Sequence, residues 1–454
     1  MLARSVRLMS VLVTAFVLAA CGGSSGTTTG DGGTGTGEGG TCATGATGTV
    51  SVNVTGLPAG VNAKVTLTGP SGTTSVSATQ SITDAASGSY AVTAEVVTKA
   101  DPIVRTAYAP TVSTSSFCLE GGQAQTVDVT YKEIPTSHRL WATNTNNPSG
   151  QLLAFPSASL GATGAPSASP AVKAPAGRAL AFDKDGNLWA LGATTVDAPL
   201  ARFAAADLAS AGQKMPDRKI DVDVGGCAPP GLSNMAFDKD GALWLASACA
   251  NKVIKLTKEQ LGASGKPAPG VVISNTADPL GIAFDEAGNL WLTDTGAGTL
   301  LRYDASRLGA STSAAADLVL TPRAANNAQL KPSYIAFDAS GNLWAINFGG
   351  NSVYKLTPAE LAGTGAKDVV PSIEVTVTVS AILASMAFDE SGGLWLTYSQ
   401  GKIARLAPAQ LGASSGPGNP TTPETILSSP DIGSAHAMAF FPAAAGLPMY
   451  ASLK

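Results

Sequence analysis

Ala181-Phe182-Asp183-Lys184-Asp185-Gly186-Asn187-Leu188-Trp189 returns along the chain as Ala236 to Trp244, Ala283 to Trp291, Ala336 to Trp344 and Ala387 to Trp395. Each copy is an apolar pair, a polar turn and a second apolar pair, the pattern of two short strands joined by a hairpin. Asp in such a turn accepts backbone amides, and Gly accepts positive φ. A half-copy, Leu140-Trp141-Ala142-Thr143-Asn144, precedes the series, and a decayed copy from Ala439 to Tyr450 follows it. All six tryptophans fall on one repeat position, 47 to 55 residues apart. A second piece follows each strand pair, as in Val253-Ile254-Lys255-Leu256-Thr257 and Val353-Tyr354-Lys355-Leu356-Thr357, and leads to a Leu-Gly-Ala-Ser-like or Leu-Ala-Gly turn.

A period near 50 residues with several strands per unit predicts a β-propeller over 138–454. Counting outwards from the axis, the Ala-Phe-Asp segment is the first strand of each blade, Leu-Trp the second and Lys-Leu-Thr the third. A variable stretch such as Ser372 to Val377 is the outermost. Thr257 to Gln260 and Thr357-Pro358-Ala359-Glu360 read as capping boxes, so one helical turn links strands three and four. The half-copy lacks a first strand, and Ala437 to Phe441 can supply it from the other end of the domain. Six blades result, with Leu447 to Leu453 a surplus strand or tail, or part of a seventh blade.

Upstream, period-two alternation at Val50 to Val54, Lys64 to Thr68, Tyr90 to Ala94 and Thr126 to Tyr131 predicts a small β-sandwich over 48–134. The strands are separated by Gly- and Pro-rich turns, and the module resembles Ig-like or prealbumin-like domains of secreted bacterial proteins. Residues 21–47 are dominated by Gly, Ser and Thr up to the first strand, and bury too little to offset chain ordering, so they form a flexible linker. Residues 1–20 have Arg4 and Arg7 ahead of an apolar run too short to span a bilayer, the form of a secretory signal. Leu18-Ala19-Ala20-Cys21 resembles the lipobox of bacterial lipoproteins. That resemblance implies a lipid, such as palmitate, on Cys21 and a membrane-anchored protein of the cell envelope. Gly22, where inner-membrane lipoproteins carry Asp, implies the outer membrane.

Charged residues are 13% of the chain, against a typical ~25%, and the formal charge is −4. A sparse, weakly acidic surface excludes nucleic acid as a partner, since that needs clustered Lys and Arg. With two histidines in the chain, most His-based metal and acid–base chemistry is excluded as well. Five cysteines divide into one lipid anchor and two pairs. Cys227 precedes the first strand of a blade and Cys249 follows the second strand of the same blade, so both open onto one face and can bridge. Cys42 and Cys118 then bracket the sandwich.

The same face collects the residues that lead into each first strand and those three positions after each Trp. It predicts a polar funnel at the channel mouth, with Asn144, Arg178, Asn234, Asp294, Tyr334, Asn347 and His436 as ligand-binding candidates. The repeats resemble NHL-type propellers and two enzyme groups of this architecture. Gluconolactonase-like enzymes hold a divalent metal with carboxylates and Asn. By that resemblance Asp294, Asn144 and Asn347 are the candidate ligands for Ca²⁺ or Mg²⁺, although the acid that such sites draw from the first blade has no counterpart here. Streptogramin lyases depend on a histidine beside an acid. Here His436 stands alone in the propeller and His138 sits at the domain junction. The ring places His436 in the first blade and Asp294 in the fourth, beyond the ~3 Å that general-base pairing needs. Asp-Lys-Asp-Gly at 183–186 and 238–241 is similar to a calcium loop but lacks its later Glu, and reads as turn chemistry. The sequence therefore reads as a monomeric, surface-tethered binding or scaffold protein without catalysis or cofactor, its partner a glycan, peptide or protein. The alternative is a metal-dependent lactonase, hydrolase or lyase.

Overall fold

The computed structural model describes residues 42, 45–100, 103–134, 139–145, 150–174, 177–192, 200–225, 227, 231–378, 382–398, 400–444 and 447. The leader, Cys21, most of the linker, His138 and residues 448–454 lie outside them. Among the described residues helix is confined to single 3₁₀ turns, and the rest of the regular structure is strand.

Six antiparallel meanders make the propeller. Blades 2 to 6 span 180–220, 232–273, 279–322, 332–376 and 383–427, and in each the strand order from the axis outwards is the chain order. Blade 1 is composite. Its strands Arg139–Asn144, Gln151–Pro156 and Ala171–Lys173 receive Met438–Phe441 as the innermost strand, with Leu140 opposite Phe440 and Trp141 opposite Ala439. The first strands of all six blades surround one central channel, lined at the same repeat position by Leu180, Met235, Ile282, Ile335, Met386 and Met438. Residues 139–441 thus form a six-bladed β-propeller, closed by pairing the two ends of that segment.

The repeated motif acts at two levels. Within the turn, Asp Oδ1 accepts amides two and four residues on, for example Asp185 N and Asn187 N to Asp183 at 3.0 Å. The following Gly residues hold φ between +75° and +83°, a left-handed conformation that a Cβ would strain. The other carboxylate oxygen does what the sequence reading did not foresee. It accepts the indole N–H of the Trp six residues on, at 2.9 to 3.1 Å in all five complete copies. The buried indole is therefore satisfied, as a buried donor needs to be. Each Trp then meets the first-strand Phe of the next blade edge-to-face. The ring centroids lie 6.0 to 6.3 Å apart, and the series returns to blade 1 through Trp395 and Phe440. A third-strand cation lies opposite each of these five tryptophans: Arg202, Lys255, Arg302, Lys355 and Arg405.

Blade 1 lacks both charged members of this set. Phe441 takes the place of the Asp, Ala154 stands opposite Trp141, and the Trp141 indole N–H is buried without an acceptor. Phe441 packs instead against Phe182, with centroids 5.0 Å apart. The closing blade is held by apolar packing where the others add a carboxylate.

The rim of the propeller is closed a second time. The turn after each third strand runs beside the outermost strand of the preceding blade, so that every outer edge is partnered. Gly212–Gln213 pairs with Ala171–Lys173, Gly365–Val369 with Leu318–Pro322, and single bridges join Ile220 to Gly265, Ile273 to Thr312 and Val375 to Ser415. Gly164 to Leu427 completes the circle. The Ser of the Leu-Gly-Ala-Ser turn supplies side-chain acceptors here, as in Lys219 N to Ser264 Oγ at 3.0 Å and Val272 N to Ser311 Oγ at 2.9 Å. Exposed edge amides invite foreign strands, and this arrangement removes them. Both expected capping boxes form, with Gln260 N donating to Thr257 Oγ1 and Glu360 N to Thr357 Oγ1.

Residues 47–133 form two sheets around a core that includes Val50, Val52, Leu67, Val92, Val127 and Tyr131. Thr47–Thr55 pairs in parallel with Ala124–Glu133. Ile103 and Val104 leave this module to join a propeller cluster with Leu140, Phe155, Trp395 and Phe440. Glu390, in the hairpin turn of blade 6, donates its amide to Ile103 O at 3.0 Å, and its carboxylate lies 3.7 Å from Arg105 Nε. The sandwich therefore sits at the turn end of the channel, and the other end faces away from it.

The disulfide expected from the blade phase is present between Cys227 and Cys249, with Cα atoms 6.1 Å apart. Gly231 lets the strands approach there, since a Cβ on it would lie 2.4 Å from that of Cys249. Cys42 and Cys118 are also in the disulfide form.

Candidate functional site

The central channel encloses a cavity of about 160 Å³. At the end away from the sandwich it is rimmed by Arg178 of blade 2, Asn234 of blade 3, Tyr334 of blade 5 and Ser385 of blade 6. In a six-fold ring these form two opposed pairs, Arg178 across from Tyr334 and Asn234 across from Ser385. Asn234, Tyr334 and Ser385 share one repeat position, which is Ala437 in blade 1, Ala179 in blade 2 and Gly281 in blade 4; Arg178 lies one residue before it, at the position of His436. Gly281 has no room for more, because a Cβ on it would lie 2.6 Å from the carbonyl oxygen of Ser333 in blade 5. Below the rim the wall is the aliphatic ring of Leu180, Met235, Ile282, Ile335, Met386 and Met438. At the turn end Ala443 and Leu447 line the channel. Leu447, expected as the start of a surplus strand, is thus a partly buried channel residue.

The mouth is built by interlocking hydroxyls. Ser233 Oγ donates to Pro279 O of the next blade at 2.8 Å, and Thr293 Oγ1 donates to Ser333 O at 2.8 Å. Thr295 Oγ1 does the same to Pro332 O at 2.7 Å. The first contact joins the first strands of blades 3 and 4, and the other two join the second strand of blade 4 and the residue after it to the first strand of blade 5. Asn234 accepts the amide of Met235 at 2.7 Å, leaving its amide nitrogen as a donor.

His436 leads into the closing strand and is half-buried. Burial, and then the positive charge of Arg178, push its imidazole below the usual histidine range. Burial pushes the Tyr334 phenol up, while the Arg178 charge draws it down and Asp278 adds to the rise. Arg178, Tyr334 and His436 thus share one electrostatic environment drawn from blades 2, 5 and 1.

Of the seven funnel candidates, Arg178, Asn234 and Tyr334 line the channel, His436 stands beside Arg178, and Asn144, Asp294 and Asn347 are not among the lining residues. The last three share one repeat position and one task, accepting amides from the segment that leads into the first strand. Asn144 Oδ1 accepts Gly433 N at 3.2 Å and Ser434 N at 3.3 Å, Asp294 Oδ1 accepts Ala277 N at 2.8 Å, and Asn347 Oδ1 accepts Lys331 N at 3.0 Å. This position ends the second strand of blades 1, 4 and 5, where the returning chain has amides to satisfy. As a metal-binding set these three do not fit. Their oxygens are engaged with backbone amides on blades 1, 4 and 5, and burial raises the Asp294 carboxyl, which disfavours its charged form. Among the described residues no three His, Cys, Asp or Glu side chains converge.

Sequence reasoning overlooked the aliphatic wall. Its signal was present, since the residue before each Ala-Phe pair is Leu, Met or Ile in every copy.

No protein-family model matches the chain, and no curated protein matches it in sequence. Among solved structures it is similar to a streptogramin B lyase, 15% identical over 52% of this chain and 66% of the lyase, with a TM-score of 0.35. It is also similar to a gluconolactonase-like protein, 17% identical over 67% of this chain and 89% of that one, TM-score 0.36. A protein of unknown function from Bacteroides caccae is 9% identical over 66% of this chain and 98% of that one, TM-score 0.41. The chain spans just under two thirds of the lyase's length. The chemistry assigned to the mouth therefore rests on this chain's own residues.

Proposed function

We propose that this is a lipid-anchored binding protein of the cell envelope, held at the outer membrane, that takes a glycan, peptide or protein partner at the channel mouth without transforming it. One observation carries the reading. The mouth sets four hydrogen-bonding side chains of different kinds, Arg178, Asn234, Tyr334 and Ser385, above a continuous apolar wall. That is the composition of a recognition site. The carboxylate and amides that a metal-dependent hydrolase would draw on are bonded into the backbone at Asp294, Asn144 and Asn347.

The purified chain should bind a member of a glycan and peptide array, and the paired change Arg178→Gln and Tyr334→Phe, which removes the polar groups but keeps the packing, should abolish that binding without altering the thermal melt. One divalent ion per chain, lost together with lactone hydrolysis on Asp294→Ala, would overturn the reading in favour of an enzyme.

The anchor is part of the same proposal. In a bacterial host Cys21→Ser should leave the leader uncleaved or move the protein out of the membrane fraction. If the variant fractionates and migrates as wild type, the chain is not a lipoprotein.

A further inference from the structure

Resting on that binding reading, we infer that the channel recognises a carboxylate carried on one apolar group about the size of a benzene ring. The carboxylate sits at Arg178 and the apolar group descends between the first strands. Among the channel-lining residues described, Arg178 alone carries a full charge, it is exposed, and it forms no ion pair with another described residue. A guanidinium fork matches a carboxylate through two parallel N–H···O bonds, which a neutral or cationic head cannot reproduce. From the opposite blade Tyr334, with Asn234 and Ser385 on the other diameter, brings further hydrogen-bonding side chains to the channel lining.

Beneath them Ile282, Ile335, Met386 and Met438 present only aliphatic and thioether groups, which adapt to an apolar guest but offer a sugar no hydrogen bonds. The cavity volume, about 160 Å³, is close to the ~150 Å³ of an apolar protein cavity that stays dry and accepts one benzene molecule. Ala443 and Leu447 line the far end, so the guest meets apolar surface there too. A short aromatic or aliphatic acid has this chemistry, and so does the free end of a peptide finishing in a large apolar residue.

The full chain would be titrated by calorimetry with phenylacetate, phenylacetamide and benzylamine, and with acetyl-Gly-Gly-Phe as the free acid and as the C-terminal amide. Phenylacetate should bind at least ten-fold more tightly than phenylacetamide, and benzylamine should not bind. Arg178→Gln should remove that preference while leaving the weak amide binding in place. Met386→Trp, which fills the channel below the rim, should abolish both. Binding of the tripeptide acid but not its amide supports the inference and assigns the source as a peptide end, whereas binding of phenylacetate alone assigns a free acid. Equal affinity for phenylacetate and phenylacetamide, or an Arg178→Gln variant that binds phenylacetate like wild type, overturns it. A glycan hit on the array with no acid binding sinks this inference and leaves the binding reading standing. Asp294-dependent lactone hydrolysis would sink that reading itself.

Discussion

Truncation after residue 430 should abolish cooperative folding of the propeller, whereas removal of residues 448–454 should shift the melt by no more than about 2 °C, the usual scale of a surface change. The longer deletion removes Met438–Phe441, and with it the first strand of blade 1 and its pairing to Arg139, Leu140, Trp141 and Ala142. It also strips the amides of Gly433 and Ser434 from Asn144, and Asp431 from the amide of Ala168. Ile432, Met438, Phe440 and Phe441 are all buried, and burial of such side chains contributes about 2 kcal/mol each. Their sum is of the order of the whole stability of an ordinary domain, roughly 5–15 kcal/mol. Trp395 would lose its ring partner, Phe182 would lose Phe441, and the amides of Thr143 and Thr145 would lose their acceptors, Ala437 O and Ser434 O. Circular dichroism melts of the two truncations decide the matter. Equal collapse of both would mean that the tail beyond Leu447 is an integral strand and that the ring closes differently.

Asp389→Ala should be the most damaging single change among the repeated aspartates, costing about 3–5 kcal/mol, the range for removing one partner of a buried ion pair. Asp389 accepts the amide of Gly393 at 2.8 Å, the indole of Trp395 at 2.9 Å and Nε of Arg405 at 2.6 Å. Its side chain is fully buried and that of Arg405 is 9% exposed. Gly393 is part of the arrangement, since a Cβ there would strike the guanidinium. Removing the carboxylate leaves Arg405 enclosed, with the half-exposed Glu424 as its remaining anionic partner. The matched change Asp183→Ala should cost about 1–3 kcal/mol, the penalty for unmade hydrogen bonds, because Arg202 there pairs with Asp217. Urea denaturation of both variants measures the difference. Adding Arg405→Leu to Asp389→Ala should recover part of the loss. If Asp389→Ala and Asp183→Ala prove equally destabilising, the stranded arginine is not the cause.

Charge placement in the repeat explains why blade 1 differs. In five blades an Asp, a Trp and a third-strand cation occupy fixed register, while blade 1 has Phe441, Trp141 and Ala154. The closing strand arrives from nearly three hundred residues away, and it is held by Phe182 and the neighbouring apolar side chains rather than by a carboxylate.

Repeat phase was legible because it is local. Ala-Phe-Asp-x-x-Gly-x-Leu-Trp marks two strands and their turn within nine residues, and five near-complete copies fix the period and single out the closing partner. The bridge between Cys227 and Cys249 followed from that phase alone. In the sandwich the strands with apolar alternation were legible. Gly72–Val76 and Gln80–Ala86 were not, because most of their residues face solvent and carry no alternating signal.

The sequence by itself determined the propeller and the segment that seals it, since both rest on spacing that any copy of the repeat displays, while it left open whether the tail adds part of a seventh blade. Tertiary structure alone decided which polar residues face the channel. Asn144, Asp294 and Asn347 have the composition of ligands but end a strand where the chain turns back, and unsatisfied amides claim them. The outer rim likewise joins each turn to the preceding blade, a relation set by how neighbouring blades lie against one another rather than by the order of residues within a repeat. Arg178 and Tyr334, 156 residues apart in the chain, become opposite sides of one opening only because six twisted sheets close a circle.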